Sequence, residues 1–496
     1  MSVITQDLVT FCKKKGFMYP ASEIYGGIAG LYDYGHLGTL LKHNFESVWR
    51  KYFLSLSDNY FEIEGSNVMH ENVFRASGHL ENFIDPIIKC SKCEFGDRAD
   101  HFITKQIKER TEGFTPEQLT ALVEKHTLKC PMCKSDFKPV AVLNMMFPLQ
   151  MGITGGGSRA YLRPETAQTP YVNFKLQLEM LRKKMPLGLA VIGKAYRNEI
   201  SPRNFTLRQR EFTQAELQIF FNPEKIAEHP DFESVAKYKL CVLLEEDRKT
   251  GKVIERTAAE LVKKMLPQFY VYHLVKIQQF YLEVLKVHRE KFRLYQLNDQ
   301  EKAFYNKYHF DIEVDVSEHG FTEMGGLHYR TDHDLVGHQR VSKQSMEVLE
   351  EESGKKYIPH VLELSFGVDR NVYLLLDLNY NDDKERGNIV LKLPQKVTPF
   401  YCAVFPLVKN KPEIVALARR VYEELKVAYS CFYDETASVG RRYARADEIG
   451  VMYGITVDFD SLQDNCVTVR DRDSTTQERI SIEKLRDYLY AKYITE

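Results

Sequence analysis

The sequence predicts an α+β fold: an antiparallel sheet with packed helices, followed by a smaller α/β domain. Two observations lead to this prediction. Extended segments at 188–199 and 210–221 follow one another without an intervening helix, which is typical of an antiparallel sheet. From residue 397 onward, short apolar strands alternate with helical segments, as in a mostly parallel sheet. We therefore expect a large domain over 1–396 and a small one over 397–496.

Composition places the chain among ordinary globular proteins. Its 496 residues are 44% hydrophobic and 28% charged, enough to bury a core without disulfides. The 68 Lys and Arg residues balance 69 Asp and Glu residues. These numbers exclude a disordered chain, collagen and a uniformly basic nucleic-acid coat, although a local basic patch remains compatible with nucleic-acid binding.

The chain carries no sign of export or membrane insertion. It has nine cysteines, an odd number. The first apolar stretch is followed by Lys13, Lys14 and Lys15, the reverse of the order in a secretory signal. No apolar run approaches the roughly 20 residues that span a bilayer. We expect a cytoplasmic location and no membrane partner.

Residues 90–138 form a polar insertion with two CxxC pairs, around a predicted helix at 116–125. Two pairs of thiolates on tight turns can complete a tetrahedral zinc shell. The sequence favours a structural Zn²⁺, because four thiolates leave no position for a substrate; two redox pairs or four free thiols are the alternatives. The predicted ligands are Cys90, Cys93, Cys130 and Cys133.

A second insertion is expected at 225–300. Residues 230–293 show helical periodicity and many Lys and Glu residues, which predicts a helical segment. After it, residues 361–378 run from an apolar strand into an apolar helix.

The nucleotide motifs most easily recognised are absent: the sequence has neither a Walker loop nor a dinucleotide fingerprint. A predicted hairpin instead concentrates Arg197, Glu199, Arg208, Arg210 and Phe212. Arginine suits a phosphate, phenylalanine a base, and glutamate an exocyclic amine. A salt-bridged hairpin without a ligand is the alternative interpretation.

A second candidate segment is 363–370, where a strand ends at Gly367 and a helix starts with Arg370 in its first turn. A helix N-terminus favours anions, and an arginine adds charge there. The alternative is an ordinary turn between a strand and a helix.

With these segments the chain resembles the class II, homodimeric glycyl-tRNA synthetases over nearly its whole length. Residues 197–216 resemble the family's motif 2, 363–370 its motif 3, and 68–85, with Ser77-Gly78-His79, its motif 1 region. More specific matches are 162–168 (LRPETAQ), 98–101 (RADH), 438–443 (SVGRRY) and 447–450 (DEIG).

The resemblance implies a class II antiparallel catalytic domain and an anticodon-binding α/β domain. It implies that Arg197 and Arg370 are catalytic and contact the phosphates of ATP. The residues implied for ATP are Arg197, Asn198, Glu199, Leu207, Arg208, Gln209, Arg210, Glu211, Phe212, Glu323, Met324, Gly367, Val368, Asp369 and Arg370. Glu323 is also expected to help hold Mg²⁺.

Further residues are implied for glycine and tRNA. Those for glycine are Arg98, Glu165, Phe212, Thr213, Gln214, Ala215, Glu216, Glu363, Leu364, Ser365, Phe366 and Gly367. Those on the anticodon side of the tRNA are Arg441, Arg442 and Arg445. The implied reaction is activation of glycine by ATP, with release of pyrophosphate, and transfer of glycyl to the 3′-terminal adenosine of the tRNA. The implied assembly is a homodimer.

The chain departs from the family pattern at five residues. His36 and His70 stand where proline is usual, Leu364 replaces the proline of Glu-Pro-Ser, and His328-Tyr329 replaces Ala-Asp. Two other functions are considered: a catalytically silent nucleic-acid-binding relative, and a ligase that adenylates a small amino acid without tRNA. Arg197 and Arg370, which are retained, argue against the silent relative. The C-terminal domain argues against the ligase that acts without tRNA.

Overall fold

The computed structural model describes residues 3–109, 111, 113–152, 159–202, 204–264, 266–303, 305–351 and 353–495. The α-helices of these residues are α1 (Val3–Lys15), α2 (His36–Leu54), α3 (Glu71–Ala76), α4 (His79–Asn82), α5 (Ala99–Ile107), α6 (Pro116–Lys125), α7 (Gln168–Leu181), α8 (Phe232–Val235), α9 (Ala258–Lys263), α10 (Gln268–Gln279), α11 (His333–Ser342), α12 (Val368–Asn379), α13 (Pro412–Leu425), α14 (Val439–Glu448), α15 (Ser461–Asp464) and α16 (Ile482–Thr495).

The strands are β1 (Met18–Pro20), β2 (Tyr32–Tyr34), β3 (Tyr60–Glu62), β4 (Val68–His70), β5 (Ile84–Lys89), β6 (Gly96–Arg98), β7 (Ala141–Asn144), β8 (Phe147–Gln150), β9 (Arg159–Leu162), β10 (Leu187–Tyr196), β11 (Glu211–Phe221), β12 (Lys239–Leu243), β13 (Ile254–Thr257), β14 (Phe292–Gln296), β15 (Tyr308–Val316), β16 (Gly320–Thr331), β17 (Val348–Leu349), β18 (Lys356–Tyr357), β19 (His360–Gly367), β20 (Tyr380–Asp383), β21 (Asn388–Leu391), β22 (Cys402–Pro406), β23 (Cys431–Tyr433), β24 (Tyr453–Val457), β25 (Cys466–Asp471) and β26 (Gln477–Ser481).

A nine-stranded sheet organises the larger part of the chain. Its order is β13-β12-β14-β15-β16-β19-β11-β10-β3. The pairs β10/β3 and β12/β14 are parallel, and the others are antiparallel. This architecture confirms the predicted α+β class.

One face of this sheet is covered by apolar helices. Phe366 on β19 contacts the rings of Trp49 and Phe53 on α2, with ring centroids 5.9 and 4.9 Å apart. Tyr281, just after α10, stacks on Phe366 from the other side. Because side chains alternate along a strand, burying Phe366 here directs Glu363, Ser365 and Gly367 to the opposite face.

The segment 225–300, predicted as a helical insertion, contains helices α8, α9 and α10 but also three strands. Strands β12, β13 and β14 extend the central sheet at its far edge, so the segment is not helical throughout. The run Lys239–Leu243 is short and apolar, and periodicity alone does not separate a buried strand from a helix at that length.

The cysteine-containing insertion has its own small core. Strands β5, β6 and β7 form a three-stranded sheet, and α5 and α6 pack on it through Ile88, Phe102, Ile103 and Leu119. Helix α6 has the predicted bounds and begins with a capping box from Thr115.

The C-terminal region has a five-stranded sheet, β23-β22-β24-β25-β26, in which β23, β22 and β24 are parallel. It agrees with the predicted alternation of strands and helices, but the pairs β24/β25 and β25/β26 are antiparallel, so the sheet is mixed instead of mostly parallel. Within the described ranges, no helix is long and apolar enough to cross a membrane.

A matched pair of Gly→Ala substitutions tests the packing of helix α2. A methyl group on Gly38 would lie 1.9 Å from the backbone oxygen of Phe17, whereas one on Gly440 in α14 would meet nothing within 4 Å. We expect Gly38→Ala to lower stability by about 2 to 3 kcal/mol, through overpacking against backbone. Gly440→Ala should be neutral or stabilising by about 0.5 to 1 kcal/mol. Thermal and urea unfolding measure both; equal effects would contradict the close contact at α2.

Candidate active site

A cavity of about 220 Å³ opens on the sheet face opposite Phe366. It lies over β11, β16 and β19, and the first turn of α12 closes one side. The predicted site residues that line it are Glu165, Arg197, Glu199, Leu207, Arg208, Gln209, Phe212, Thr213, Gln214, Glu216, Glu323, Met324, Glu363, Ser365, Gly367, Asp369 and Arg370. The hairpin and the strand-to-helix turn, 150 residues apart in sequence, thus face one cavity.

The arginine-rich end of the cavity carries an aromatic ring. The guanidinium of Arg197 lies 5.2 Å from the ring centroid of Phe212 and 5.5 Å from that of Phe83, and its Nε donates to the Pro164 carbonyl at 3.1 Å. Glu199 accepts a hydrogen bond from Nε of Arg208 at 2.7 Å. A flat base and a phosphate are the groups that this combination can hold.

Helix α12 presents a second arginine to the same end. Arg370 forms an ion pair with Glu323 at 3.0 Å and donates to the Leu207 carbonyl at 3.1 Å. Its neighbour Asp369 accepts hydrogen bonds from the Thr213 amide and the Tyr34 hydroxyl. These contacts fix the helix start against β11, so Arg370 faces the cavity from a rigid element.

The other end of the cavity is acidic. Glu165, Glu216 and Glu363 are each less than 10% exposed. Arg330 lies among them, with Nη1 3.0 Å from Glu363 and Nη2 3.6 Å from Glu165. Asp334 holds the Nε of Arg330 at 2.9 Å. A cluster of buried carboxylates with too few cations suits a ligand that brings a positive charge.

Glu216 differs from the other two carboxylates. Its oxygens accept hydrogen bonds from the hydroxyls of Thr166 and Ser365, at 2.7 and 2.8 Å. Neither donor carries a charge. Burial, together with the charges of Glu363 and Glu165, raises the pKa of Glu216 to about 7. Near neutral pH this carboxyl group therefore needs a cation to become fully ionised.

The negative charges of Glu363 and Glu165 are already balanced by neighbouring cationic side chains. Burial opposes the charge of Glu363, but Arg330 and His328 outweigh it and hold its pKa at about 2. For Glu165, burial is likewise outweighed by Arg330 and His79, so its pKa lies well below the ordinary value. The acidic end thus contains two paired carboxylates and one, Glu216, that forms no ion pair with the described residues.

Eight of the predicted site residues do not line this cavity. Ala215, Leu364, Phe366 and Val368 are buried in the apolar core, because alternation turns the first three to the opposite face of the sheet and Val368 packs with them. Three other predicted residues contact polar partners outside the cavity. Arg210 donates to the carbonyls of Glu199 and Ala29. Glu211 pairs with Lys194, and Arg98 pairs with Asp85 and Asp100. Asn198 lines a separate, shallow depression.

Several cavity residues were not predicted as site residues: Thr206, Ala303, Tyr305, Asn306, His309, Gly325, His328 and Arg330. Most come from β15, β16 and the segment before β15, which lacks a nucleotide motif. A usable signal existed, since His328 and Arg330 are two residues apart on one strand and therefore share a face.

The four predicted cysteine ligands meet in the insertion. Their Sγ atoms all lie within 4.8 Å of one another, with Cys90 and Cys133 3.4 Å apart and Cys93 and Cys130 3.6 Å apart. Thiolates bound to one tetrahedral zinc ion are roughly 3.8 Å apart. The donor set and its spacing therefore fit a closed, structural metal site.

The structure corrects the expectation for Arg442 as a tRNA-contacting residue. Its side chain is 1% exposed and donates to the carbonyls of Thr436, Glu435 and Ala437, which close the loop before α14. Arg445 pairs with Asp434 at a half-buried position. Arg441 is exposed at the start of the helix. Of the three arginines, Arg441 is therefore the one that is exposed.

Family models match two parts of the chain. Residues 154–379 match the model described as "tRNA synthetase class II core domain (G, H, P, S and T)", and residues 401–492 match "Anticodon binding domain". A crystal structure titled as the RNA binding domain of threonyl-tRNA synthetase from Cryptosporidium parvum Iowa II is similar in fold, with a TM-score of 0.60 at 16% identity over 98% of this chain and 97% of that one. The fold and the cavity define a class II aminoacyl-tRNA synthetase.

Relatives that match over nearly the whole chain show to which family within this class the chain belongs. The glycine–tRNA ligase of Pyrococcus abyssi is 36% identical over 98% of each chain. That of Thermococcus gammatolerans is 36% identical over 99% of this chain and 98% of its own, and that of Methanothrix thermoacetophila is 33% identical over 98% and 96%. The chain belongs to the glycine–tRNA ligase family.

The raised pKa of Glu216 predicts a pH-dependent cost to stability. The folded protein retains a proton on this carboxyl group that the unfolded chain loses near its ordinary pKa of 4.5. Ionisation therefore lowers the free energy of unfolding as pH rises from about 4.5 to 7, and the cost is complete above 7. We expect Glu216→Gln to gain up to about 3 kcal/mol at pH 8 and little at pH 4.5.

Thermal unfolding at the two pH values measures the effect. Glu224→Gln, at an exposed position, is the matched control and should change neither midpoint. A gain for Glu216→Gln that is equal at both pH values would contradict the electrostatic origin.

Proposed function

We propose that the chain is a glycine–tRNA ligase: it activates glycine with ATP and transfers the glycyl group to the 3′-terminal adenosine of its tRNA. One observation supports this proposal best. An arginine and aromatic end adjoins, within one cavity, an acidic end with an uncompensated carboxylate. An adenosine phosphate and an α-ammonium group are the two chemistries that such a cavity would hold side by side.

At the acidic end, Glu216 is proposed to bind the ammonium group. It lacks a cationic partner, and its hydroxyl donors from Thr166 and Ser365 fix its orientation. Glycine is proposed to be selected because larger side chains are sterically excluded.

At the other end, Arg197 is proposed to bind the α-phosphate, Phe212 to stack on adenine, and Arg370 to bind the γ-phosphate. The glycine carboxylate attacks the α-phosphorus; the bond from that phosphorus to the bridging oxygen breaks, and pyrophosphate leaves with the electron pair. No side chain becomes covalently attached. The chain contributes alignment of the two substrates and fixed positive charge where negative charge accumulates.

The remaining partners are proposed on the same basis. Residues 1–396 are the catalytic domain and 397–496 the anticodon-binding domain, with Arg441 as a phosphate contact. Mg²⁺ accompanies ATP near Glu323, Zn²⁺ is held by the four cysteines, and two chains form a homodimer in the cytoplasm. An exposed apolar stripe on α7, formed by Val172, Leu176 and Met180, is compatible with association of two chains.

Glycine-dependent exchange between ATP and pyrophosphate tests the activation step. We expect exchange with glycine but not with alanine or serine, and about a 10²- to 10³-fold lower kcat/KM for Arg197→Ala, because a preorganised phosphate contact is lost. Arg420→Ala, an exposed arginine of α13, is the control and should exchange at the rate of the unmodified chain.

Two results would contradict the proposal. A folded protein without glycine-dependent exchange, even with tRNA added, would favour a silent nucleic-acid-binding relative. Exchange with glycine but no glycylation of tRNA would favour a ligase that uses a free small molecule as acceptor.

Metal analysis tests the cysteine site. Protein purified with zinc should contain one equivalent per chain, and Cys130→Ser should lose it and unfold at a lower temperature, because structural zinc contributes directly to folding. Cys466→Ser, outside the insertion, should keep both the metal and the midpoint. A protein free of metal after this preparation, with four titratable thiols in the insertion, would refute the zinc proposal.

A further inference from the structure

A segment near the N-terminus, residues 29–34, contacts the arginine-rich end of the cavity although it belongs to none of the three motifs. The carbonyl of Ala29 accepts a hydrogen bond from the side chain of Arg210 at 3.0 Å, and that of Gly30 accepts from the Arg210 amide at 2.8 Å. A methyl group on Gly30 would lie 2.5 Å from Cβ of Pro202. The segment therefore packs closely on the connection between β10 and β11.

At its other end the same segment reaches the start of helix α12 through Asp369. The pairing of β11 with β19 ends at Gln214 and Gly367, where β19 passes into α12. The amide of the preceding residue of β11, Thr213, donates to one oxygen of the Asp369 carboxylate. The other oxygen accepts from the hydroxyl of Tyr34 on β2. Asp369 is buried, so these two bonds hold its carboxylate in one orientation and connect α12 with β11 and β2.

The ring of Tyr34 is itself fixed by helix α2. A methyl group on Gly38 would lie 3.0 Å from Cδ1 of Tyr34, so the ring packs where this glycine leaves space. One turn further along α2, Nζ of Lys42 lies 5.3 Å from the ring centroid. Burial and the charge of Asp369 raise the pKa of Tyr34 well above its ordinary value, so the hydroxyl keeps its proton and remains a donor. The hydroxyl thus meets Asp369 from a rigid support.

We infer that Tyr34 is a positioning residue for ATP: by orienting Asp369 it fixes the first turn of α12, so that Arg370 is aligned with the γ-phosphate. This inference rests on the ATP site of the proposed function, in which Arg370 binds that phosphate and Phe212 stacks on adenine. Arg370 follows Asp369 directly in the chain, so a displaced carboxylate displaces the arginine as well. Phe212 is less affected, because the bond from the Thr213 amide does not involve Tyr34.

Equilibrium binding of ATP and AMP to Tyr34→Phe tests the inference. Phenylalanine keeps the ring against α2 but removes the hydroxyl, so one oxygen of the buried Asp369 carboxylate loses its donor and the first turn of α12 readjusts. We expect the Kd for ATP to rise about 10-fold, because a phosphate contact is misaligned. The Kd for AMP, which lacks the γ-phosphate, should be unchanged. In glycine-dependent exchange the KM for ATP should rise, whereas the KM for glycine should not.

Two further variants separate positioning from packing. In the Asp369→Ala background the hydroxyl of Tyr34 has lost its acceptor, so adding Tyr34→Phe should not change the Kd for ATP again. Tyr32→Phe is the matched control on the same strand. The ring of Tyr32 contacts that of Phe205, and its hydroxyl bonds none of the residues that the structure describes, so this variant should bind ATP like the unmodified chain.

Each outcome has a distinct meaning. An unchanged Kd for ATP in Tyr34→Phe would overturn the inference and leave the proposed function standing. Equal weakening of ATP and AMP binding, or a loss that persists in full in the Asp369→Ala background, would show that the hydroxyl only supports the fold, and would overturn the inference too. An unmodified chain that binds ATP without glycine-dependent exchange would contradict the proposed function alone, and one that binds no ATP would contradict both.

Discussion

The arrangement of the site depends on Arg330. This buried guanidinium contacts two of the three carboxylates of the acidic end and is itself held by Asp334. Its charge is strongly stabilised there: burial opposes it, but the surrounding carboxylates raise the pKa of Arg330 well above the ordinary value. Without such a cation, Glu165 and Glu363 would be protonated or expelled from the interior. The sheet can therefore present acidic groups in a dry cavity because this one arginine compensates them.

The central sheet places the charged site residues on one face and the apolar residues that stabilise the fold on the other. On β19, Leu364 and Phe366 pack into the aromatic core with α2, while Glu363 and Ser365 face the cavity. The same alternation on β11 separates Ala215 and Leu217 from Gln214 and Glu216. Because a shift of one residue would exchange the two faces, the apolar core fixes the register of the site residues. Leu364, at a position where the family has proline, agrees with this division of the two faces, since its side chain packs in the apolar core.

The sequence predicted the parts of the site that belong to contiguous motifs, and it failed where folding joins separate strands. The hairpin with Arg197 and Phe212 and the helix start with Arg370 were predicted because their charges are dense within a few residues. Arg330 and His328 were not predicted, since their partners lie on β19 and their importance follows from cross-strand register. Local charge also misled in the opposite direction: Arg442 reads as part of a basic patch, but its guanidinium donates to three carbonyls of a tight loop. For the fold, the extended segments that follow one another without a helix between them predicted the α+β class. The strand β12 was missed, because periodicity does not distinguish so short an apolar strand from a helix.

The incomplete compensation of the acidic end has a consequence for how a ligand binds. Glu165, Glu216, Glu363 and Asp334 are four carboxylates; among the described residues Arg330, His328 and His79 lie within ion-pair distance of members of this cluster, and none of these contacts is to Glu216. A ligand that brings an ammonium group to Glu216 supplies a positive charge there and lowers the pKa of the carboxyl group that burial had raised to about 7. Near neutral pH, binding is therefore coupled to release of a proton from Glu216, and a ligand with a neutral group in the same place gains no such stabilisation. Selection for a charged amino group thus arises from a charge that the folded chain leaves unpaired.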